Sequence, residues 1–496
     1  MTVSSRTDTA TVPSPLRSAR LRRIVASYTV NRLGTWFGFI ALSLAVFDHT
    51  HSALAVAALL VIGQAIPAFL TPALVARVEA SRRRGVLSGL YLFEATATGA
   101  LAALLLSGFS LPGILVLVAL DETAALAASA LLRAEAARCA REWAHAPPQF
   151  ASPTPESFPS ESLPAHTYAG QAGITALTGS EPPHTGEQSH GGASDVGTGG
   201  TGAGADEREA HAAEAERRVN AALNIGFAGT FVLGPVLAGL VVAAYGSPAA
   251  LLIDAGTFAI CAGMLIDVRP HFAEAEDASV RARVRAAWEH IVAAPTLRAL
   301  LLVEGCALVF FASDGSIEVP YAKATLHAGD SGYGLIVTMW GVGTIVGSVV
   351  FARTVRRPLG AILSAGALAV GLAYLGWAIA PTLVLACVAA TIGGLGNGVQ
   401  WAAFISVVQR LTPPDLQGRM MGAVESLGAI FPAFGLALGG VLVAISSPRG
   451  AFLVVGLGAS LSTVAFVRLR LGTLSGEKPA PAAEDAAPEL APSGRI

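Results

Sequence analysis

The sequence predicts an all-α integral membrane protein of twelve transmembrane helices. Three observations carry this. Hydrophobic residues make up 53% of the chain and charged residues only 13%; twelve apolar runs are long enough to cross a bilayer; and basic residues keep to alternate connections between them. A soluble globular chain has about 25% charged residues. A chain of 496 residues divided into soluble domains would need that charge to coat their surfaces, and it is absent.

A crossing needs about 20 mostly apolar residues. Runs bounded by Pro, Gly or charge place the spans at 25–47, 52–76, 85–108, 112–133, 220–244, 248–267, 298–321, 332–353, 358–380, 382–408, 418–444 and 450–469. The first run is longer than a secretory core and no small-residue cleavage site follows it, so it is expected to remain as span one. The expected organisation is a tail at 1–24, spans one to four in 25–145, a linker at 146–216, spans five and six in 217–268, a central loop at 269–297, spans seven to twelve in 298–470 and a tail at 471–496. The linker is rich in Pro, Ser, Gly and Thr and almost free of large apolar side chains, so both it and the last tail are expected to be disordered. The charged stretch from Asp206 to Arg218 at the end of the linker reads as a solvated helix leading into span five.

Cytoplasmic connections are enriched in Lys and Arg. With the N-terminus inside, 29 of the 32 basic residues fall on the cytoplasmic side; Lys323 and Arg449 fall outside, and Arg32 lies within span one. Both termini are therefore expected in the cytoplasm. The formal net charge is only −2, which supplies no basic field for nucleic acid.

Several sequence patterns carry no chemistry. Gly197 to Gly202 matches a dinucleotide-binding glycine pattern but sits in the linker, without the strand and helix that pattern needs. Gly329-Asp-Ser-Gly332 resembles the surroundings of a nucleophilic serine, but it falls in a short external loop with no partner histidine. Neither Lys323 nor Lys478 has the neighbours of a P-loop lysine, and no His is followed by Glu. The four cysteines are far apart and unpaired in pattern. No enzyme, metal centre or cofactor is expected.

What remains are polar residues at membrane depth, where each is costly and marks a functional candidate by default. Span one holds Asn31, Arg32 and Trp36; span three Glu94; span four Asp121 and Glu122; span six Asp254; span seven Glu304, Asp314 and Glu318; span ten Asn397, Gln400 and Trp401; and span eleven Glu425. Asp314 and Glu318 share a helix face, as do Asn397 and Trp401. Asp254 and Glu425 read as helix bridges, Glu304 as a partner of an arginine such as Arg298, and Arg32 either as a snorkelling side chain or as a tuner of its neighbours. Desolvation penalises the charged form of a carboxyl, which lets a carboxyl at depth exchange protons. Spans eight and ten are rich in glycine, which lets helix backbones approach closely.

The chain resembles the major facilitator superfamily, and within it bacterial drug and siderophore exporters of the macrolide-efflux and enterobactin-exporter type. Asn220-Ala-Ala-Leu-Asn-Ile-Gly226 with Gly234-Pro235-Val-Leu-Ala-Gly239 resembles the antiporter signature of span five. Asp254-Ala-Gly-Thr-Phe258 resembles the start of span six, and Trp288 to Arg298 the end of the central loop. Gln409-Arg-Leu-Thr-Pro-Pro-Asp-Leu-Gln-Gly-Arg419 resembles the loop before span eleven. The resemblance implies two pseudo-symmetric six-helix halves and a central cavity lined by spans one, four, seven and ten, with alternating access by rocking. It also implies a cytoplasmic gate at Arg77, Glu79, Arg82, Arg83 and Arg84, although Ala76 stands where relatives carry Asp. Two further departures are Gly34-Thr35, where many relatives have an acidic residue, and the lack of a span-four arginine.

The function so implied is proton-coupled efflux of a small amphipathic or cationic molecule across a bacterial cytoplasmic membrane by a monomer. Arg32, Trp36, Asp121, Glu122, Asp314, Glu318, Asn397, Gln400 and Trp401 are expected to form the proton and substrate cavity. An importer or uniporter of the same fold, or a non-transporting membrane scaffold or sensor recruiting partners through the linker, are the alternatives.

Overall fold

The structure, a computed structural model, describes residues 15–81, 85–145, 202–268, 288–354, 357–413 and 416–469. Their regular structure is helical throughout, and twelve helices are long and apolar enough to cross a membrane. We number them α1 (Ala19–Thr50), α2 (Ala53–Ser81), α3 (Val86–Ser107), α4 (Leu111–His145), α5 (Gly202–Tyr245), α6 (Ser247–Met264), α7 (Pro295–Thr325), α8 (Gly329–Arg353), α9 (Leu359–Ile379), α10 (Leu383–Arg410), α11 (Gln417–Ile445) and α12 (Pro448–Arg468).

The helix ends follow from local chemistry. Pro248, Pro295 and Pro448 occupy first turns, where a missing N–H leaves nothing unsatisfied. The Thr382 and Ser447 side chains accept hydrogen bonds from the first turns of α10 and α12. Glycine with positive φ opens α8, where Gly329 stands at +65°. The sequence Gly329 to Gly332 is thus the first turn of α8 rather than an external loop.

The twelve helices form two halves with one contact pattern. In the first half α1 packs on α5 and α6, α2 on α4, and α3 on α4 and α6. Adding six to each number gives the second half: α7 on α11 and α12, α8 on α10, and α9 on α10 and α12. The halves meet through α5 with α8 and through α2 with α11, a pairing that is again symmetric under the same shift. The chain is therefore an all-α membrane bundle of two pseudo-symmetric six-helix halves.

Close approach between these helices rests on glycine. A Cβ on Gly343 would fall 2.2 Å from the Thr391 carbonyl oxygen, and one on Gly394 would fall 2.0 Å from that of Trp340, so α8 and α10 touch backbone to backbone. Across the halves, a Cβ on Gly334 would fall 2.4 Å from the Pro235 carbonyl oxygen.

Two expectations are corrected. Helix α5 starts at Gly202, so the linker ends before 216. The lead-in helix is also not simply solvated. Ala212, Ala215 and Val219 are buried, the last two in one cluster with Ala136, Cys139 and Ala140 of α4, and Arg141 pairs with Glu216 at 2.6 Å. The rest of the linker and both chain ends, 1–14 and 470–496, lie outside the described residues.

Candidate functional site

Helix α7 sets the geometry of the site. It runs as Pro295–Ala312, breaks its regular bonding at Ser313, resumes as Asp314–Pro320 and ends in a π-helical turn at Tyr321–Thr325. The break places Asp314 at the start of a new helical segment, at mid-depth. Such interruptions within membrane helices are tolerated where they line a cavity.

Between the halves lies a cavity of about 940 Å³. Asp314, Phe311 and Leu308 of α7 line it, with Asn397, Gln400 and Trp401 of α10, Glu122 and Leu126 of α4, Phe39 of α1, and Gln64 and Pro67 of α2. Helices α8, α9, α11 and α12 also contribute, so the wall is wider than the four helices that the resemblance implies. Most of it is apolar, with two carboxylates and three side-chain amides contributed by α2, α4, α7 and α10.

The cavity is closed at the end far from the start of α1 and the end of α12. There Lys323, at the end of α7, pairs with Asp48 of α1 at 2.5 Å and with Asp330 of α8 at 2.6 Å. Below this triad sits a packed aromatic group formed by Tyr321, Trp340, Tyr374, Trp377 and Phe452. On the opposite side, Trp401 is 41% exposed and Leu126 and Gln64 are exposed along the same wall. The Lys323–Asp48 pair joins the two halves on this far side.

The expected site residues divide. Glu122, Asp314, Asn397, Gln400 and Trp401 come together on the cavity wall. Tyr374 donates its hydroxyl hydrogen bond to Asp314 Oδ2 at 2.9 Å, which fixes that carboxylate. Gln400 donates to Glu304 Oε2 at 3.3 Å, so Glu304 pairs with this amide rather than with Arg298, whose guanidinium donates to the Val292 carbonyl. Asp121 lies one position away from Glu122 in a smaller neighbouring cavity and accepts from Thr98 at 3.2 Å.

Three expectations do not hold at the wall. Trp36 packs edge-on to Phe39 and Phe231 and covers Gly234, so it holds α1 to α5 instead of facing the cavity. Glu318 is 8% exposed and lies beyond the cavity roof, since one turn of helix, about 5.4 Å, carries it past Asp314. The Arg32 guanidinium rests over the Tyr28 and Phe227 rings at 5.4 and 5.8 Å and reaches Ser129 at 3.5 Å, between α1, α4 and α5.

The span-five motif is a packing device. Gly226 faces Thr29 and Gly234 faces Trp36, while Pro235 and Gly239 meet Gly334 of α8. At the expected gate, Arg77 is exposed at the end of α2, whereas the side chains of Glu79, Arg82, Arg83 and Arg84 lie outside the described residues, as does that of Glu425.

Sequence reading passed over Gln64 and Tyr374. Gln64 is the lone amide in span two, and the rule that singled out Asn397 would have found it. Tyr374 gave no signal, because an aromatic residue in an apolar run reads equally as packing.

A family model for the Major Facilitator Superfamily matches residues 306–495. No curated protein sequence matches the chain. Among solved structures, the nucleoside transporter NupG is similar with a TM-score of 0.60 at 12% identity, covering 91% of this chain and 99% of that one. A bacterial homologue of the human lysosomal transporter Spinster, in an inward-facing and unoccupied conformation, gives 0.60 at 11% identity, covering 95% and 100%. An auto-inhibited peptide transporter of the POT family gives 0.58 at 11%, covering 91% and 96%. At such identities the likeness is one of fold, and the fold is that of the major facilitators.

Proposed function

We propose that the chain is a secondary active transporter of the major facilitator superfamily that exports an amphipathic organic cation in exchange for protons. The observation that carries this is the cavity of about 940 Å³ between the two halves, apolar on most of its wall, with one carboxylate from each half. Drug-sized ligands occupy pockets of about 300–1,000 Å³ with a few placed polar groups. Glu122 and Asp314 offer negative charge to a cationic head, and Phe39, Phe311 and Trp401 offer ring faces and apolar surface to its body. Among the described residues, none that lines the cavity is cationic. An anionic siderophore would meet two carboxylates without a counter-charge, so the cationic class is favoured.

The arginine distribution supports cytoplasmic termini, which makes the open side the cytoplasmic one and the Lys323 triad an external seal. Substrate enters from inside, the halves rock, and the seal opens outward. One proton crossing about 100 mV supplies about 2.3 kcal/mol, enough for roughly fiftyfold accumulation at about 1.4 kcal/mol per tenfold. Both halves framing the cavity come from one polypeptide, so a monomer suffices.

Everted membrane vesicles with an acid interior test this directly. The expected result is accumulation of a lipophilic cationic dye by vesicles carrying the chain, and loss of that accumulation with Glu122→Gln and Asp314→Asn together. Undiminished accumulation by the double variant would remove the reading.

A further inference from the structure

Proline interrupts the hydrogen bonding of two helices that face each other across the divide. Helix α2 carries Pro67 and Pro72 in its interior, and α11 carries Pro432. A proline has no N–H for the carbonyl four residues earlier, and its ring pushes against that carbonyl. Pro67 therefore frees the carbonyl of Gly63, Pro72 that of Ala68, and Pro432 that of Gly428. All three of these residues line the main cavity, as do Pro67 and Pro432 themselves. Glycine has no side chain, so what Gly63 and Gly428 present to the cavity is backbone. A Cβ on Gly428 would meet nothing within 4 Å, so no neighbour covers that position. Among the described residues, no backbone N–H from a turn, loop or cap reaches any of the three carbonyls.

The interior proline of α5 has a different outcome. Pro235 frees the Phe231 carbonyl, but a Cβ on Gly341 of α8 would fall 3.0 Å from that oxygen. It is covered by packed helix at the junction of the halves.

An unpaired carbonyl is costly in an apolar medium, and irregular backbone at membrane depth is tolerated where it lines a cavity. In the cavity it is an acceptor open to a ligand. Gly63 sits against Glu122, since a Cβ on it would fall 3.8 Å from Glu122 Cγ. Gly63 and Pro67 are one helical turn apart on the face that also carries Gln64 and Ala68 to the wall. A positive head drawn to Glu122 thus meets carbonyl oxygens beside the carboxylate. Charge alone does not separate a primary ammonium from a quaternary one. Acceptors do, because the first offers three N–H donors and the second offers none.

We propose that the cavity selects, among amphipathic organic cations, those whose charged head carries N–H donors (primary or secondary ammonium, amidinium or guanidinium) and disfavours quaternary heads. The carbonyls of Gly63, Ala68 and Gly428 are the acceptors that read the head. This deepens the proposed function and rests on its cationic reading.

Equilibrium binding to the purified full chain in lipid nanodiscs, with binding to empty nanodiscs subtracted, tests the proposal. The probes are a radiolabelled naphthylethyl primary ammonium ion and its mono-, di- and trimethylated forms, all charged at neutral pH. The expected result is an affinity that falls with each N–H lost and is about tenfold or more lower for the trimethyl form. Tenfold is about 1.4 kcal/mol, near the lower end of what a hydrogen bond to a charged group contributes. Pro67→Ala with Pro432→Ala restores two N–H groups and should cut the ratio between the ends of the series to about threefold or less. Pro235→Ala should keep the wild-type ratio. A general change of shape would move all four affinities together and leave the ratio where it was. Equal affinities across the series for the unsubstituted chain overturn the proposal and leave the cationic reading in place. So does a wild-type ratio in the folded double variant. If that variant does not fold, the series on the unsubstituted chain decides alone. Binding of none of the four ions removes the cationic reading, and this proposal with it.

Discussion

Asp314 is held by a single tyrosine. The Tyr374 hydroxyl donates to its carboxylate and also lies 3.0 Å from the Phe311 carbonyl oxygen, so the ring clamps the broken part of α7 from α9. A hydrogen bond to a charged group contributes about 1.5–3 kcal/mol. Tyr374→Phe is therefore expected to slow efflux of a cationic dye by about tenfold or more without lowering the amount of protein in the membrane, as measured by vesicle transport beside immunoblotting. Gln64→Leu, which exchanges an amide on both cavity walls for an apolar side chain, is expected to weaken apparent substrate affinity severalfold with little change in maximal rate. Glu122, Asp314 and Asn397 were legible in the sequence because a polar side chain at depth is costly wherever it points. Trp36 and Glu318 were misassigned for a related reason. Residue type and depth do not say which way a helix is rotated or where a cavity ends, and both are fixed by contacts with other helices.

Among the helices, the tightest junction is that of α8 with α10. Gly343 and Gly347 on α8 meet the carbonyls of Thr391 and Leu395, and Gly394 and Gly398 on α10 meet those of Trp340 and Thr344. Each contact is with backbone, which cannot swing aside as a side chain can. Overpacking a core typically costs about 1–3 kcal/mol, and a Cβ at these distances from a carbonyl lies at or beyond the upper end. Gly394→Val is expected to lower the melting temperature and the yield of folded protein in mild detergent, whereas Gly256→Ala on α6, where a Cβ would meet nothing within 4 Å, is expected to do neither. The glycine richness of spans eight and ten was plain in the sequence, but which backbone each glycine meets was not; the reciprocal pattern shows close packing of α8 on α10. The lengths of α4 and α5, 35 and 44 residues, were only partly legible. Hydropathy marks where lipid ends rather than where helix ends, and the alanines that bury the lead-in helix against α4 read as ordinary helix formers.

At the scale of the whole molecule, the fold was legible because it depends on counts: twelve apolar runs, and basic residues on alternate connections. The sixfold shift that relates the contacts of one half to the other was not, since it lives in contacts between distant segments. The halves lean together on the far side, where Lys323 reaches Asp48 across the divide. Exposed ion pairs contribute about 0.2–1 kcal/mol, and these partly covered ones lie toward or above the top of that range. Lys323→Ala is therefore expected to raise the far-side-open population severalfold, read as a longer distance between spin labels placed at the far ends of α1 and α7.

The central claim is that one cavity is exposed to the two sides in turn. Leu308 lines that cavity at about 20 Å from the start of α7, counting about 1.5 Å per residue. Leu308→Cys, in a chain whose four native cysteines are replaced by serine, can be challenged with an impermeant maleimide from either side. The account expects labelling in everted vesicles that a lipophilic cation blocks and an anion of similar size does not. It also expects labelling in intact cells once Lys323→Ala releases the far seal. Labelling from the cytoplasmic side alone in both backgrounds, indifferent to the cation, would contradict it.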